Sequence, residues 1–165
     1  MDFDILAAKP EGLGDDDWVA AVDAVRAYCG WHIAPPITET ITLDGPGGHL
    51  LTLPSLRVLE VEKIVSDGRE VTDPEWSADG MVRGSWSRRF RGVEVTMRHG
   101  LEELPPAVIA VATSVALTEL TPGGVSSDLT GPFQVSYDRH SGASETGMSQ
   151  HQRAALEPYR LKARP

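Results

Sequence analysis

The sequence predicts an α+β fold, with helices near 15–29, 105–120 and 149–157 and antiparallel β structure at about 37–98. Three observations carry this. Trp18, Val22, Val25 and Cys29 recur at helical spacing. Between 37 and 98 the pattern changes to two-residue alternation broken by Gly-rich and Asp-Gly turns. From Pro105-Pro106 a second helical run is apolar nearly all round. Sixteen glycines and twelve prolines call for frequent turns and short regular elements. No linker is long enough to split the chain, so residues 1–165 are read as one domain.

Residues 1–14 read as an irregular, flexible arm. The first helix follows, with Asp15 or Asp16 as its cap, Ala21 and Tyr28 flanking the apolar stripe, and Gly30 as its stop. ITETITL (37–43) alternates as a half-buried strand does, and the turn run DGPGG (44–48) returns it into HLLTL (49–53) as a hairpin. Residues 57–68 read as a strand ending at the Asp67-Gly68 turn. Two short segments then carry Trp76 and Met81-Val82, joined by Asp79-Gly80. In RGVEVTMRHG (91–100), Val93, Val95 and Met97 point inward and Glu94, Thr96 and Arg98 outward. The whole suggests a small antiparallel sheet or sandwich. In the second long helix, Val108, Ile109, Val111, Ala112, Val115, Ala116, Leu117 and Leu120 predict burial on most sides, some of it against neighbouring subunits. Thr121 to Gly124 end it. Residues 123–147 form a loop with one strand, FQVSY (133–137). Ser149 with Gln152 makes a capping box for a last helix, which Pro158 ends or kinks, and 158–165 read as a tail.

The formal net charge is −9, which disfavours tight binding to DNA, a ligand held mainly through its phosphates. The charge is uneven: the first thirty residues are rich in Asp, while Arg153, Arg160, Lys162 and Arg164 make the C-terminal end basic. No apolar run is long enough to span a bilayer, and the acidic N-terminus does not resemble a secretory signal.

Cys29 is the single cysteine, so no internal disulfide forms. With His32 nearby it raises the idea of a small thiol enzyme, but no orienting third group follows and a buried helix-end cysteine is the plainer reading. Asp44 to Gly48 lacks the pattern of a phosphate loop and reads as a turn. Asp138-Arg139-His140 and His151 read as surface residues, and His99 before Gly100 as a turn residue. No metal, cofactor or catalytic constellation is expected. Arg83, Arg88, Arg89, Arg91 and Arg98 cluster around Trp86 and Phe90; this stretch reads as a solvent-exposed loop whose arginines pair with the many acids, or as an interface, with a nucleic-acid-binding module as the alternative.

The order of these elements resembles the head-to-tail connector (adaptor, or head-completion) proteins of long-tailed bacteriophages, of the actinobacteriophage type. The resemblance spans roughly 15–162. Its most specific residues are Tyr28-Cys29-Gly30-Trp31-His32-Ile33 with Pro35, Leu53-Pro54-Ser55, and His99-Gly100 followed by Pro105 and Val108. It implies a small helical bundle core carrying the β region as an insertion. It also implies a homo-oligomeric ring, usually of twelve copies, in the virion neck, assembled in the host bacterial cytoplasm. The ring's expected partners are the portal protein and a stopper or tail-completion protein, with DNA passing through without specific binding. Portal docking is expected at Leu156, Tyr159, Arg160 and Leu161. Ring or stopper contacts are expected at Phe133, Val135 and Tyr137, with Trp86 and Arg89. A stopper-type neck protein is the nearest alternative; such proteins are β-dominated, and the helices argue for the connector. The acidic balance would suit a channel that must pass DNA without holding it.

Overall fold

The computed structural model describes residues 5–119 and 148–162. The expected strand 133–137, its loop, the residues Asp138-Arg139-His140 and the end of the chain lie outside the described residues.

The structure is α+β. The first long helix, α1 (Asp15–Cys29), buries the predicted stripe of Trp18, Ala21, Val22, Val25 and Cys29. Its cap differs from expectation: Gly14 occupies the N-cap with extended backbone and no side chain caps it. Asp15, Asp16 and Asp17 instead lie in the first turn, where the helix dipole favours anions. Gly30 closes the helix with φ of 79°, a conformation open to glycine, and its N–H bonds Arg26 O at 2.8 Å. The expected arm is partly structured. Ile5–Ala8 form a 3-10 turn against α1, held by Trp18 Nε1 donating to Ile5 O at 3.0 Å, and Leu13 is buried. An apolar Ile-Leu pair beside an indole N–H supplies both the burial and the bond that order it.

Helix α2 (Pro106–Glu119) packs on α1, and α3 (Gln150–Leu156) packs on α2. Ser149 and Gln152 form the expected reciprocal capping box. Pro158 sits in a 3-10 turn over Glu157–Tyr159 that ends the helix. Trp18, Val22, Val25, Ile33, Val108, Ala112, Met148 and Leu156 are among the residues of the apolar cluster shared by these helices. α2 is less covered than its composition predicts. Val108, Val111, Ala112, Val115 and Ala116 are buried, but Ala110, Ser114 and Leu117 face outward around a shallow depression.

The β region forms two antiparallel sheets. One, ordered β1-β7-β3-β4, contains β1 (Ile37–Leu43), β3 (Val58–Ser66), β4 (Arg69–Glu70) and β7 (Val93–His99). The other, β2-β6-β5, contains β2 (Leu50–Thr52), β5 (Glu75–Trp76) and β6 (Met81–Arg83). Leu51 and Val82 from the small sheet join Val58, Ile64, Val93, Val95 and Met97 from the large one in a second apolar cluster. The alternation of β7 is as predicted. So is the turn at Asp67 and Gly68, both with positive φ, which fits a two-residue hairpin. The hairpin expected between 37–43 and 49–53 does not form. β1 pairs along its whole length with β7, Ile37 opposite His99 and Leu43 opposite Val93, while β2 crosses to β6. DGPGG therefore bridges the two sheets rather than turning within one.

The helical and β parts meet where His32 to Pro36 pass the end of β7. Leu101 N–H bonds Ile33 O at 2.7 Å, and Gly100 packs against the Pro35–Pro36 backbone.

Candidate functional site

The arginine-rich stretch becomes a braced loop between β6 and β7. Its anchor is Trp86, 5% exposed, whose ring packs into the β cluster. Backbone and side-chain bonds then fix its course. Gly45 N–H and Gly47 N–H donate to Arg89 O and Ser87 O at 2.9 and 2.8 Å, and Trp86 N–H donates to Gly48 O. Ser87, itself buried, donates its hydroxyl to Asp67 Oδ1 at 2.8 Å and accepts from Arg89 N–H at 2.9 Å. Arg91 N–H donates to Asp44 Oδ1 at 2.7 Å. DGPGG is thus the saddle on which the loop rests. The closeness explains the glycine at 45, where a Cβ would stand 2.2 Å from Ser87 O.

What this brace presents is Phe90, 88% exposed, with Arg88, Arg89 and Arg91 beside it. Arg89 lies 3.9 Å from Asp67, both side chains well exposed, a geometry that contributes little stability. Among the described residues, Arg88 and Arg91 have no ion-pair partner. Arg83 is occupied by Glu75, at 2.9 Å, and Arg98 belongs to the outer face of the large sheet. Of the two residues singled out from this stretch, Arg89 is on the surface and Trp86 is inside. The exposed aromatic is Phe90. Trp86 is therefore a brace for the loop and offers no ring for stacking a base.

At the C-terminal end, Leu156 is wholly buried in the helical cluster, so it supports the surface rather than forming it. Leu156→Ala would cost about 2–5 kcal/mol, the usual range for a cavity of that kind. Tyr159 and Leu161 are half-buried against the same cluster, and Arg160 is exposed. The expected tail is pinned to the end of α1. Trp31 Nε1 donates to Tyr159 O at 2.7 Å, Leu161 N–H donates to Cys29 O at 2.8 Å, and the Arg160 guanidinium lies 5.5 Å from the centre of the Tyr28 ring. This places an aromatic, a cation and an aliphatic group on one compact turn.

The residues weighed for chemistry are placed elsewhere. Cys29 is buried, and burial pushes its thiol up to about 11, with the nearby Arg160 opposing and Glu157 adding to the rise. A thiol held protonated is a poor nucleophile. His32 Nε2 donates to Pro35 O at 2.5 Å. His99 is not the turn residue expected but a buried one, 1% exposed, its Nε2 2.8 Å from Glu39 Oε1. The two imidazoles are 6.0 Å apart, and burial holds both below the usual histidine range. His151 is exposed, as expected. Among the described residues no group of three His, Cys, Asp or Glu side chains is placed to hold a metal ion, and no helix is long and apolar enough to cross a membrane.

No protein-family model matches this chain, and no curated protein sequence matches it. Solved structures do. The fold is similar to that of a chain in the neck of the native GTA particle computed with C12 symmetry, with a TM-score of 0.53 and 19% identity, covering 91% of this chain and 85% of that one. It is also similar to a chain in the neck of the empty GTA particle computed with C6 symmetry, with a TM-score of 0.51, 19% identity, and coverage of 91% and 80%. At that identity the likeness is one of fold: the chain shares the α+β architecture of chains in the GTA particle neck.

Proposed function

We propose that this chain is a structural, non-catalytic neck protein that assembles with copies of itself into a ring. The ring would sit between the portal and the next neck protein and extend the channel through which DNA passes. The observation that carries this is the fold match over 91% of the chain to a chain from a neck of twelvefold symmetry. Two surfaces are available for such contacts. Tyr159, Arg160 and Leu161 form a compact turn suited to docking on the portal, with Leu156 beneath them. The braced loop around Phe90 and Arg89 offers a second, separate contact surface. Cys29 and His32, the nearest thing to a catalytic pair, are respectively buried in protonated form and tied to backbone.

The test is the mass of the purified full chain in solution, alone and then with the portal protein of the same particle, together with gold labelling of the chain in intact particles. A ring-sized complex in the presence of portal and label confined to the neck are expected. A chain that stays monomeric with portal, or that is absent from necks, defeats the proposal. Portal binding also separates the connector role from a stopper-type role, which would require the chain to bind only after another neck protein is in place.

A further inference from the structure

We propose that the loop 84–92 is the projecting half of a head-to-tail contact between copies of this chain. Phe90 and the guanidinium groups of Arg88, Arg89 and Arg91 would seat on the outward, acidic face of α1 in the neighbouring copy. The inference rests on the ring reading above and names the partner of one of its surfaces.

The first ground is exposure without looseness. Among the described residues Phe90, at 88%, is the most exposed large hydrophobic side chain. The loop that holds it is tied to Asp44, Gly45, Gly47 and Asp67 by backbone and side-chain bonds. A side chain held out by so many bonds is preorganised, so docking it orders little that is not already ordered. Phenylalanine and arginine are also enriched where proteins meet.

The second ground is that the complementary surface exists on the same chain. Asp16, Val19, Ala20, Asp23 and Ala27 are exposed and fall on one stripe of α1 at helical spacing. Val19 is 39% exposed, an apolar spot with an aspartate one turn before it and another one turn after. Asp16 has no partner among the described residues, and Asp23 has only the exposed pair with Arg26 at 3.2 Å. The loop offers one ring flanked by exposed positive charges, of which Arg88 and Arg91 have no ion-pair partner among the described residues; the helix offers a small apolar patch flanked by negative ones. Two different patches that fit one another on each copy make a heterologous contact, which generates a ring when the rotation between copies closes.

DNA is the rival partner for the loop. Phosphates would satisfy the same guanidiniums, and Phe90 could stack on a base. The net charge of −9 weakens that partner, and the burial of Trp86 leaves a single exposed ring in the loop. Contact with α1 satisfies both patches at once.

The test uses the full chain, its self-association followed by sedimentation at near-physiological salt. Wild type is expected to self-associate, and Phe90→Ala to weaken this roughly 30-fold, the loss typical of a buried aromatic anchor. Arg88→Glu with Arg89→Glu, and separately Asp16→Arg with Asp23→Arg, should each abolish it while leaving the circular dichroism spectrum unchanged. An equimolar mixture of the two double variants restores opposite charges at every contact and should assemble again. The proposal is overturned if wild type stays monomeric throughout, if either double variant assembles alone, or if the mixture does not assemble. Loop variants that lose binding to duplex DNA while keeping self-association overturn it as well. The neck reading fails separately, by absence of the chain from labelled particle necks, whatever the sedimentation shows.

Discussion

Lowering the pH should weaken this fold at one identifiable place, the joint between its helical and β parts. His99 is 1% exposed at the end of β7, with Nε2 donating to Glu39 at 2.8 Å. Its Nδ1 is buried with no hydrogen-bond partner among the described residues. The neutral ring tolerates this, since Nδ1 then carries a lone pair and no proton; the imidazolium would bury an unpaired N–H. His32 stands 6.0 Å away, with Arg26 also near it. Burial lowers both imidazoles, against the pull of the Glu39 carboxylate on His99 and of the Pro35 bond on His32.

In the unfolded chain both rings take up protons as the pH falls through about 6.5. In the folded chain they stay neutral to lower pH. The unfolded state then binds more protons, so stability is lost as the pH falls below about 6.5, until the folded-state values are reached. Each ring contributes at most about 1.4 kcal/mol per pH unit, and the pair at most about 2.7 kcal/mol. Urea denaturation at a pH above, near and below this value measures the loss, and His99→Gln, which cannot titrate, isolates the share of His99. The stability of wild type relative to His99→Gln should fall on acidification by up to about 1.4 kcal/mol per unit. Glu39→Gln removes the opposing pull and should extend the loss to lower pH. Parallel curves for wild type and His99→Gln would refute the reasoning. A wild type that gains on its variant as the pH falls would show that the Glu39 ion pair outweighs burial.

Three other perturbations test the packing. Gly45→Ala forces a Cβ to within 2.2 Å of Ser87 O and should cost about 1–3 kcal/mol by overpacking, read as a lower urea midpoint; an unchanged midpoint would mean that the saddle yields freely. Trp18→Phe removes the 3.0 Å bond to Ile5 O and leaves a cavity where the larger ring was wholly buried, so it should cost about 2–3 kcal/mol, with amide exchange rising most at Ile5–Ala8. Cys29, buried and with its thiol pushed up to about 11, should resist thiol reagents at mildly alkaline pH until urea unfolds the chain; rapid labelling of the native protein would contradict its placement.

Elements defined by local periodicity were readable in the sequence, and contacts between distant segments were not. The stripe of α1, the alternation of β7 and the Ser149–Gln152 box each need only a few neighbouring residues, and each is found where the pattern puts it. The partner of β1 is not a local property. ITETITL alternates equally well against either neighbour, and the Gly-rich run after it favours a hairpin. The available clue was length, because β1 and β7 can pair over seven residues and β2 offers three. At His99 a local signal was present, and the turn residue Gly100 directly after it argued the other way. The alternation of Val93, Val95 and Met97 carries on to it, so the period already pointed its ring inward, and Glu39 shares the inward side of β1 with Ile37 and Ile41. At the candidate interface the composition of 83–91 was informative, yet nothing local decided which aromatic was buried. That choice is made by the sheet beneath Trp86, which only the assembled β region provides.

Under the ring reading proposed above, the acidic charge has two claims on it, and they compete for the same residues. A DNA channel gains from acids on its wall, because they repel phosphates and keep the genome from sticking. A ring contact through α1 would bury Asp16 and Asp23 between copies and remove them from any wall. If α1 is the contact, the wall must draw on other exposed acids, such as Glu60, Glu62 and Glu94 on the large sheet or Glu102 and Glu103 beyond it. The roles then separate by their phenotypes. Neutralising Asp16 and Asp23 should cost the ring itself, whereas neutralising wall acids should leave the ring intact and alter packaging, retention or ejection of DNA. Asp16 and Asp23 variants that assembled normally but mishandled DNA would assign α1 to the channel and strip the Phe90 loop of its partner.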